Sequence, residues 1–224
     1  MEPAQVLQDV AQQAAVCTLC DLHLARKNAV PGEGPANAEI VFIGEGPGFY
    51  ENEQGRPFVG AAGKFLDELL ERAGLDRQAV FITNVVKCRP PGNRDPEPGE
   101  LEVCTRTYLQ RQLEAIQPLV IVTLGRFSMG LYLPDARISA IHGQARWVNG
   151  RLVVPMFHPA AALHQPKWKS SVEEDFARLP ATIEQARKLR ANAGAAPGSP
   201  SVFPESAPKE DAPGDDAPTQ LSLF

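Results

Sequence analysis

The sequence has no apolar run of the ~18–20 residues that a membrane span needs. Its first residues, Met1 to Val16, are polar and acidic, with neither a basic start nor an apolar signal region, so a cytosolic protein is expected. It has no surplus of positive charge. Lys and Arg number 22, Asp and Glu 27, and the formal net charge is −5, a sign that counts against nucleic acid as a partner. Cysteine is scarce, at 4 of 224 residues. Apolar residues are not scarce: they make up 43%, enough for a packed core and too many for wholesale disorder. Proline is abundant, at 21.

Charge and proline are unevenly spread. Residues 191–224 hold six prolines, five acids (Glu205, Glu210, Asp211, Asp215, Asp216) and one base, Lys209. No helical or strand period runs through them, which is the pattern of a disordered tail. Residues 1–190 keep 21 bases and 22 acids. The folded part is therefore nearly neutral, and nucleic acid stays open as a partner.

Within that part, apolar periodicity predicts alternating elements. Gln5–Val16, Ala61–Ala73, Glu100–Ile116 and Val172–Leu189 read as helices; Glu39–Ile43, Val80–Val86, Leu119–Leu124 and Arg151–Phe157 read as strands. Leu119–Leu124 is apolar throughout, as expected for a sheet covered on both faces. The order implies an α/β fold, a three-layer α/β/α sandwich around a mostly parallel four-stranded sheet. Sites in such sheets form at the carboxyl ends of the strands. Gly44–Gly48, Thr83-Asn84 and His158 fall there.

The cysteines are Cys17, Cys20, Cys88 and Cys104. A cytosolic chain argues against disulfides. The first pair is C-x-x-C, which supplies two metal ligands from one turn. The second pair is not a C-x-x-C knuckle, so the spacing suits an iron–sulfur cluster better than zinc while leaving both open. The loop Gly44-Glu45-Gly46-Pro47-Gly48 is no phosphate cradle. Phe49 stands where G-x-G-x-x-G would have its third glycine, no Gly-Lys-Ser/Thr follows, and Glu45 would repel an anion.

Four segments in order carry a resemblance. They are Gly44-Glu45-Gly46-Pro47-Gly48, Gly55-Arg56-Pro57-Phe58-Val59-Gly60, Thr83-Asn84-Val85-Val86-Lys87-Cys88-Arg89-Pro90-Pro91 and His158-Pro159-Ala160-Ala161. Together with the cysteines they closely resemble the family-4 uracil-DNA glycosylases, over about residues 10–190. The resemblance implies the uracil-glycosylase sandwich and a four-iron, four-sulfur cluster held by Cys17, Cys20, Cys88 and Cys104. It also implies a monofunctional enzyme that flips uracil from single- or double-stranded DNA and hydrolyses its N-glycosidic bond, leaving an abasic site for base-excision repair.

By that resemblance Gly46, Phe58, Asn84 and His158 line the uracil pocket. Phe58 stacks on the base. The Asn84 amide accepts from N3–H and donates to O4, which rejects cytosine. His158 donates to O2 as negative charge grows there. The best-known enzymes of the superfamily have an aspartate where this chain has Gly46. Glu45, the only acid in the loop, is the expected carboxylate beside the sugar and the attacking water. Gly48 replaces a bulky tyrosine, and Glu51 is a candidate for excluding the thymine methyl. Past His158, Leu163 is placed as a wedge into the DNA stack, Lys167 and Lys169 as phosphate contacts. Arg89 is a further candidate for the DNA backbone. No lysine of these motifs is assigned a Schiff-base role, so hydrolysis without strand cleavage is expected.

The tail ends Gln220-Leu221-Ser222-Leu223-Phe224, three large apolar residues in five. Such an end suits a short anchor for a partner's groove. Gln220, Leu221, Leu223 and Phe224 closely resemble the motif that binds the bacterial sliding clamp, with residues 191–219 as a tether. A monomeric, nucleoid-associated enzyme without membrane contact is expected. The competing possibilities are a non-catalytic cluster-bearing DNA-binding or redox module, and a nucleotide-binding α/β enzyme. The first has no use for Glu45, Asn84 and His158 at strand ends; the second lacks its phosphate motifs. A covalently trapping branch is disfavoured, because no basic insertion lies between Gln54 and Phe58.

Overall fold

A computed structural model describes residues 1–192. The expected tether 191–219 lies outside that range from residue 193 onward, as does the whole of the expected clamp peptide, Gln220 to Phe224.

The elements run α1 (Pro3–Ala15), α2 (Leu22–Ala25), β1 (Ile40–Gly44), α3 (Phe49–Gln54), α4 (Ala61–Arg72), β2 (Phe81–Asn84) and α5 (Pro98–Cys104). Then come α6 (Gln110–Ile116), β3 (Val120–Leu124), α7 (Arg126–Gly130), α8 (Ile138–Ile141), β4 (Arg146–Val148), β5 (Arg151–Met156), α9 (Pro159–His164), α10 (Lys169–Ala177) and α11 (Leu179–Asn192). The sheet order is β2-β1-β3-β5-β4. β2, β1, β3 and β5 are parallel, and β4 pairs antiparallel with β5. Residues 1 apart in β1 face opposite layers. Ile40 and Phe42 pack with α4, α10 and α11; Val41 and Ile43 pack with α6. The α/β/α sandwich follows. In α4, Phe65, Leu66, Leu69 and Leu70 share one buried stripe, each contributing about 1.5–3 kcal/mol by burial.

The sheet has five strands, not the four expected. β4 is three residues long and mostly exposed, so it offers no apolar run. Its signal was the turn instead. Asn149 and Gly150 both have positive φ, 47° and 78°, the requirement of the two-residue hairpin that Asn-Gly favours. The expected closing helix is two helices, α10 and α11, separated at Arg178. Pro180 lacks an N–H and disfavours continuation of a helix through the residue before it. The expected helix over 100–116 holds a π-helical turn at Thr105–Leu109 between α5 and α6. Regular pairing in β2 stops at Asn84. Beyond it, the Val85 and Val86 amides donate to the carbonyls of Gly44 and Glu45, both at 3.0 Å.

That topology positions a site. From β1 the chain crosses to β2 on one side and later to β3 on the other, so the strand order reverses at β1. Ligand crevices open at such switch points, beyond the carboxyl ends of the strands. The loops after β1, β2, β3 and β5 meet there.

Candidate active site

Asn84 ends β2 directly opposite Gly44, the last residue of β1. It is buried, and its Oδ1 has no hydrogen-bond partner among the described residues. A buried acceptor without a donor is costly, on the order of 1–3 kcal/mol, unless a ligand supplies one. Gly44 makes room for it. A Cβ on Gly44 would lie 2.3 Å from Asn84 Oδ1 and 2.8 Å from Phe58 Cζ.

Phe58 is buried and has a left-handed φ of 52°. That conformation is strained for an aromatic residue, and its neighbours hold it. Glu51 Oε1, from α3, accepts from the Val59 and Gly60 amides, each at 2.9 Å. Arg77 donates to the Pro57 carbonyl at 2.9 Å. Gly63 in α4 lets the Phe58 carbonyl approach, since a Cβ there would stand 2.0 Å from its oxygen. The other carboxylate oxygen of Glu51 lies 2.8 Å from where a Cβ on Gly48 would be. The Glu51 carboxylate thus fills space that a side chain at Gly48 would take. The same group clamps the Phe58 loop, a role the sequence did not suggest.

His158 caps α9. Its Nδ1 accepts from the Ala160 amide at 3.2 Å, so a neutral ring carries its proton on Nε2. The ring stacks on Phe58, with centroids 5.5 Å apart and planes 26° from parallel. Burial pushes the His158 ring down to about 4, which keeps it neutral at ordinary pH. Gly125, with φ 94°, passes closely behind it, 3.5 Å from its hypothetical Cβ to His158 Cβ.

Glu45 is partly buried beside this group. Burial and the nearby Asp95 carboxylate push it up to about 7, while Arg126 pulls the other way. Asp95 and Arg126 form an ion pair that joins the loop after β2 to the start of α7. Gly46 packs against Val86 Cγ2, at 2.8 Å from its hypothetical Cβ, and against Pro90 Cδ, at 3.7 Å. The structure therefore brings Gly44, Phe58, Asn84 and His158 into contact at the carboxyl edge of the sheet, with Glu45 and Gly46 following Gly44 in the same loop.

Lys87, inside the Thr83–Pro91 motif, is 1% exposed. Its Nζ donates to Thr83 Oγ1 at 2.7 Å, the Asn84 carbonyl at 2.7 Å and Gln112 Oε1 at 2.8 Å. The amine spends its donors within the protein, so it is not available to attack a sugar. Instead it anchors the backbone of Asn84. A single charge within the run Val85-Val86-Lys87-Cys88 was the available sign of a buried polar network.

The DNA-contact candidates sit outside the crevice. Leu163, on α9, is exposed. Lys167 lies 4.9 Å from the Trp168 ring centroid, and Lys169 lies 5.8 Å from that of Phe65. Arg89 stands 5.3 Å from the Phe49 ring centroid and donates from Nε to Asn93 Oδ1 at 2.7 Å.

The four cysteines meet on the other side of Lys87. Cys17, Cys20, Cys88 and Cys104 line one small cavity with Arg26 and Tyr108, and all four are free thiols. The Lys87 amide donates to Cys104 Sγ at 3.2 Å, and the Arg26 guanidinium to Cys88 Sγ at 3.4 Å. Burial pushes the Cys104 thiol up to about 12 and also raises Cys20 and Cys88. A metal charge at the centre would favour the thiolates instead. Four soft donors around one cavity, two of them receiving N–H bonds, fit a thiolate-held metal group.

A five-stranded α/β/α sandwich with this crevice at its switch point is the architecture of a known superfamily. Residues 31–179 match the family model of the uracil DNA glycosylase superfamily, and the chain belongs to it. Relatives narrow the placement. The chain is 48% identical over 182 residues to the type-4 uracil-DNA glycosylase of Archaeoglobus fulgidus, covering 77% of this chain and 91% of that one. It is 44% identical over 162 residues to the type-4 enzyme of Thermotoga maritima, covering 71% and 84%. A type-5 enzyme of Pyrobaculum aerophilum is more distant, 32% identical over 149 residues, covering 58% of this chain and 65% of that one. Within the superfamily, the chain is thus one of the type-4 uracil-DNA glycosylases.

Proposed function

We propose that this protein excises uracil from DNA by hydrolysing its N-glycosidic bond. The observation that carries the proposal is the buried, unpartnered Asn84 Oδ1, beside Gly44 and the Phe58 ring that stacks on His158. Uracil brings the missing donor, N3–H. Cytosine has a bare N3 there and would leave Oδ1 unsatisfied. A well-formed amide–base pair discriminates by about 1–3 kcal/mol. The base can reach this depth only by leaving the DNA stack. Phe58 then offers it an apolar ring, and the Glu51 carboxylate beside Gly48 occupies the space into which a thymine methyl would extend.

His158 Nε2–H, a neutral donor, would donate to uracil O2, where charge collects as the bond breaks. Glu45 supplies the opposing charge for the sugar and orients the water that adds to it. Only its carboxylate form serves. With Glu45 near 7, the ionised fraction grows about tenfold between pH 6 and pH 8. The kcat/KM for uracil release should rise accordingly and then level off. In Glu45→Gln this limb should vanish; a limb that persists unchanged assigns the titration to another group. The same shift affects folding. A carboxyl raised above its unfolded value stabilises the protein at low pH, and that contribution is lost as pH rises through about 7.

Cys17, Cys20, Cys88 and Cys104 would hold a four-iron, four-sulfur cluster. When bound, it supplies a structural staple, since four protein ligands leave it no open position for substrate. It would tie the α1–α2 segment to the segment that carries Lys87 and, through it, Asn84.

The test is incubation with an oligonucleotide containing one uracil, followed by alkali. Free uracil and strand cleavage after alkali alone are expected. Cleavage without alkali would point to a lyase; no uracil release from protein with visible-range cluster absorbance would favour a non-catalytic module.

The closing peptide Gln220-Leu221-Ser222-Leu223-Phe224 would carry this activity to replicating DNA by docking on the bacterial sliding clamp. Its support is the sequence pattern. Deleting residues 220–224 should abolish clamp binding in a pull-down and leave activity on short oligonucleotides intact; retained clamp binding would refute the docking.

A further inference from the structure

Two large aromatic side chains at the rim of the crevice have no role in the mechanism above. Phe49 and Tyr50 open α3, immediately after the Gly44–Gly48 loop. They are 47% and 52% exposed. Their rings meet edge to face, with centroids 5.4 Å apart and planes at 84°. The Arg89 guanidinium lies over the Phe49 ring, 5.3 Å from its centroid. Its Nε is held by Asn93, and among the described residues no carboxylate pairs with it. The group is continuous with the crevice. A Cβ on Gly60 would touch Tyr50 at 3.4 Å, and Pro90, next to Arg89, packs over Gly46.

We propose that Phe49, Tyr50 and Arg89 form a subsite for a nucleotide flanking the flipped uridine, with an unstacked base on the exposed rings and its phosphate on Arg89. The inference rests on the uracil-DNA function proposed above. Three observations select this occupant. An unpaired guanidinium over an exposed aromatic face combines the two contacts that single-stranded nucleic acid uses, a cation for the backbone and a π-face for the base. Two rings, at most about 500 Å² together, are small for a protein partner, which needs ~800 Å² on each side. Residues 1–190 carry 21 bases against 22 acids, so net charge gives this domain little hold on a polyanion, and stacking supplies what charge does not.

A base inside a duplex is already stacked on both faces. The subsite therefore favours single-stranded uracil-DNA, or a strand opened beside the flipped base. The Phe49→Ala/Tyr50→Ala double variant should raise KM for a single-stranded uracil oligonucleotide by about tenfold, with kcat retained and a smaller rise on the matching duplex. The single variant Phe49→Tyr, which keeps a π-face, should retain the wild-type KM; the single variant Phe49→Leu, apolar without one, should not. Arg89→Gln should weaken both substrates and reduce the dependence of log affinity on log salt by about 1. An unchanged single-strand KM in the double variant overturns the subsite. So does a fall in kcat at constant KM, and so does Phe49→Leu behaving as wild type, which would leave a merely apolar contact. Affinity for a uracil-free single strand, read by fluorescence anisotropy, is measured in parallel. Its loss in the double variant supports the subsite even if no uracil is released, so the two proposals fail separately.

Discussion

His158→Ala is expected to lower kcat for uracil release about 10²–10³-fold, the usual cost of removing one donor to a developing oxyanion. The loss should fall on kcat more than on KM, because O2 becomes a strong acceptor only as the glycosidic bond breaks. The local geometry makes the ring a neutral donor. Nδ1 is committed to the Ala160 amide, which leaves the proton on Nε2, and burial holds the ring near 4. A neutral donor stabilises growing negative charge without attracting phosphate beforehand. The wild-type kcat should then show no loss as pH rises through ~6.5, where an ordinary histidine gives up its proton. Single-turnover rates across that range check this. A kcat that falls there would mean that the reacting ring is an imidazolium. A His158→Ala variant within threefold of wild type would remove His158 from the chemistry.

Gly44→Ala should be nearly as damaging, by about 10²-fold or more, although it adds one methyl group. The methyl would stand 2.3 Å from Asn84 Oδ1 and 2.8 Å from Phe58 Cζ, distances at which atoms must move. Neither neighbour moves freely. Asn84 ends a strand whose carbonyl is held by Lys87, and Phe58 is fixed by Glu51, Arg77 and Gly63. The displacement therefore falls on the pocket, and a misplacement of about 1 Å costs roughly 10² in rate. Circular dichroism and visible absorbance should match wild type while uracil release collapses. Near-normal activity would show that the pocket relaxes around the methyl, and that Asn84 Oδ1 is not held where the mechanism needs it.

The parts of the site visible in the sequence are those that sit in contiguous motifs at strand ends. Gly44–Gly48, Asn84 and His158 were placed by a simple rule, that parallel sheets open their crevices at carboxyl edges. The four cysteines are legible because a C-x-x-C pair with two further thiols is a spacing that metal sites use. Long-range partnerships were not visible. Nothing local to Glu51 announces that it caps the Val59 and Gly60 amides, nor does Asp95 announce its pairing with Arg126, 31 residues away. Lys87 looked like one more charge, yet it is among the most deeply buried side chains. β4 has no apolar pattern to read because its residues are mostly exposed, and its one local sign is the Asn149-Gly150 turn. The split between α10 and α11 has Pro180 as its local signal, while the apolar periodicity runs on through both helices.

The central claim is that Asn84 Oδ1 waits for the N3–H of uracil. The most direct measurement is a crystal structure of the protein with free uracil. The account predicts the base stacked on the Phe58 ring, with N3 within hydrogen-bond distance of Asn84 Oδ1 and O2 within reach of His158 Nε2. Uracil bound elsewhere, or bound here with N3 turned away from Asn84, would contradict it.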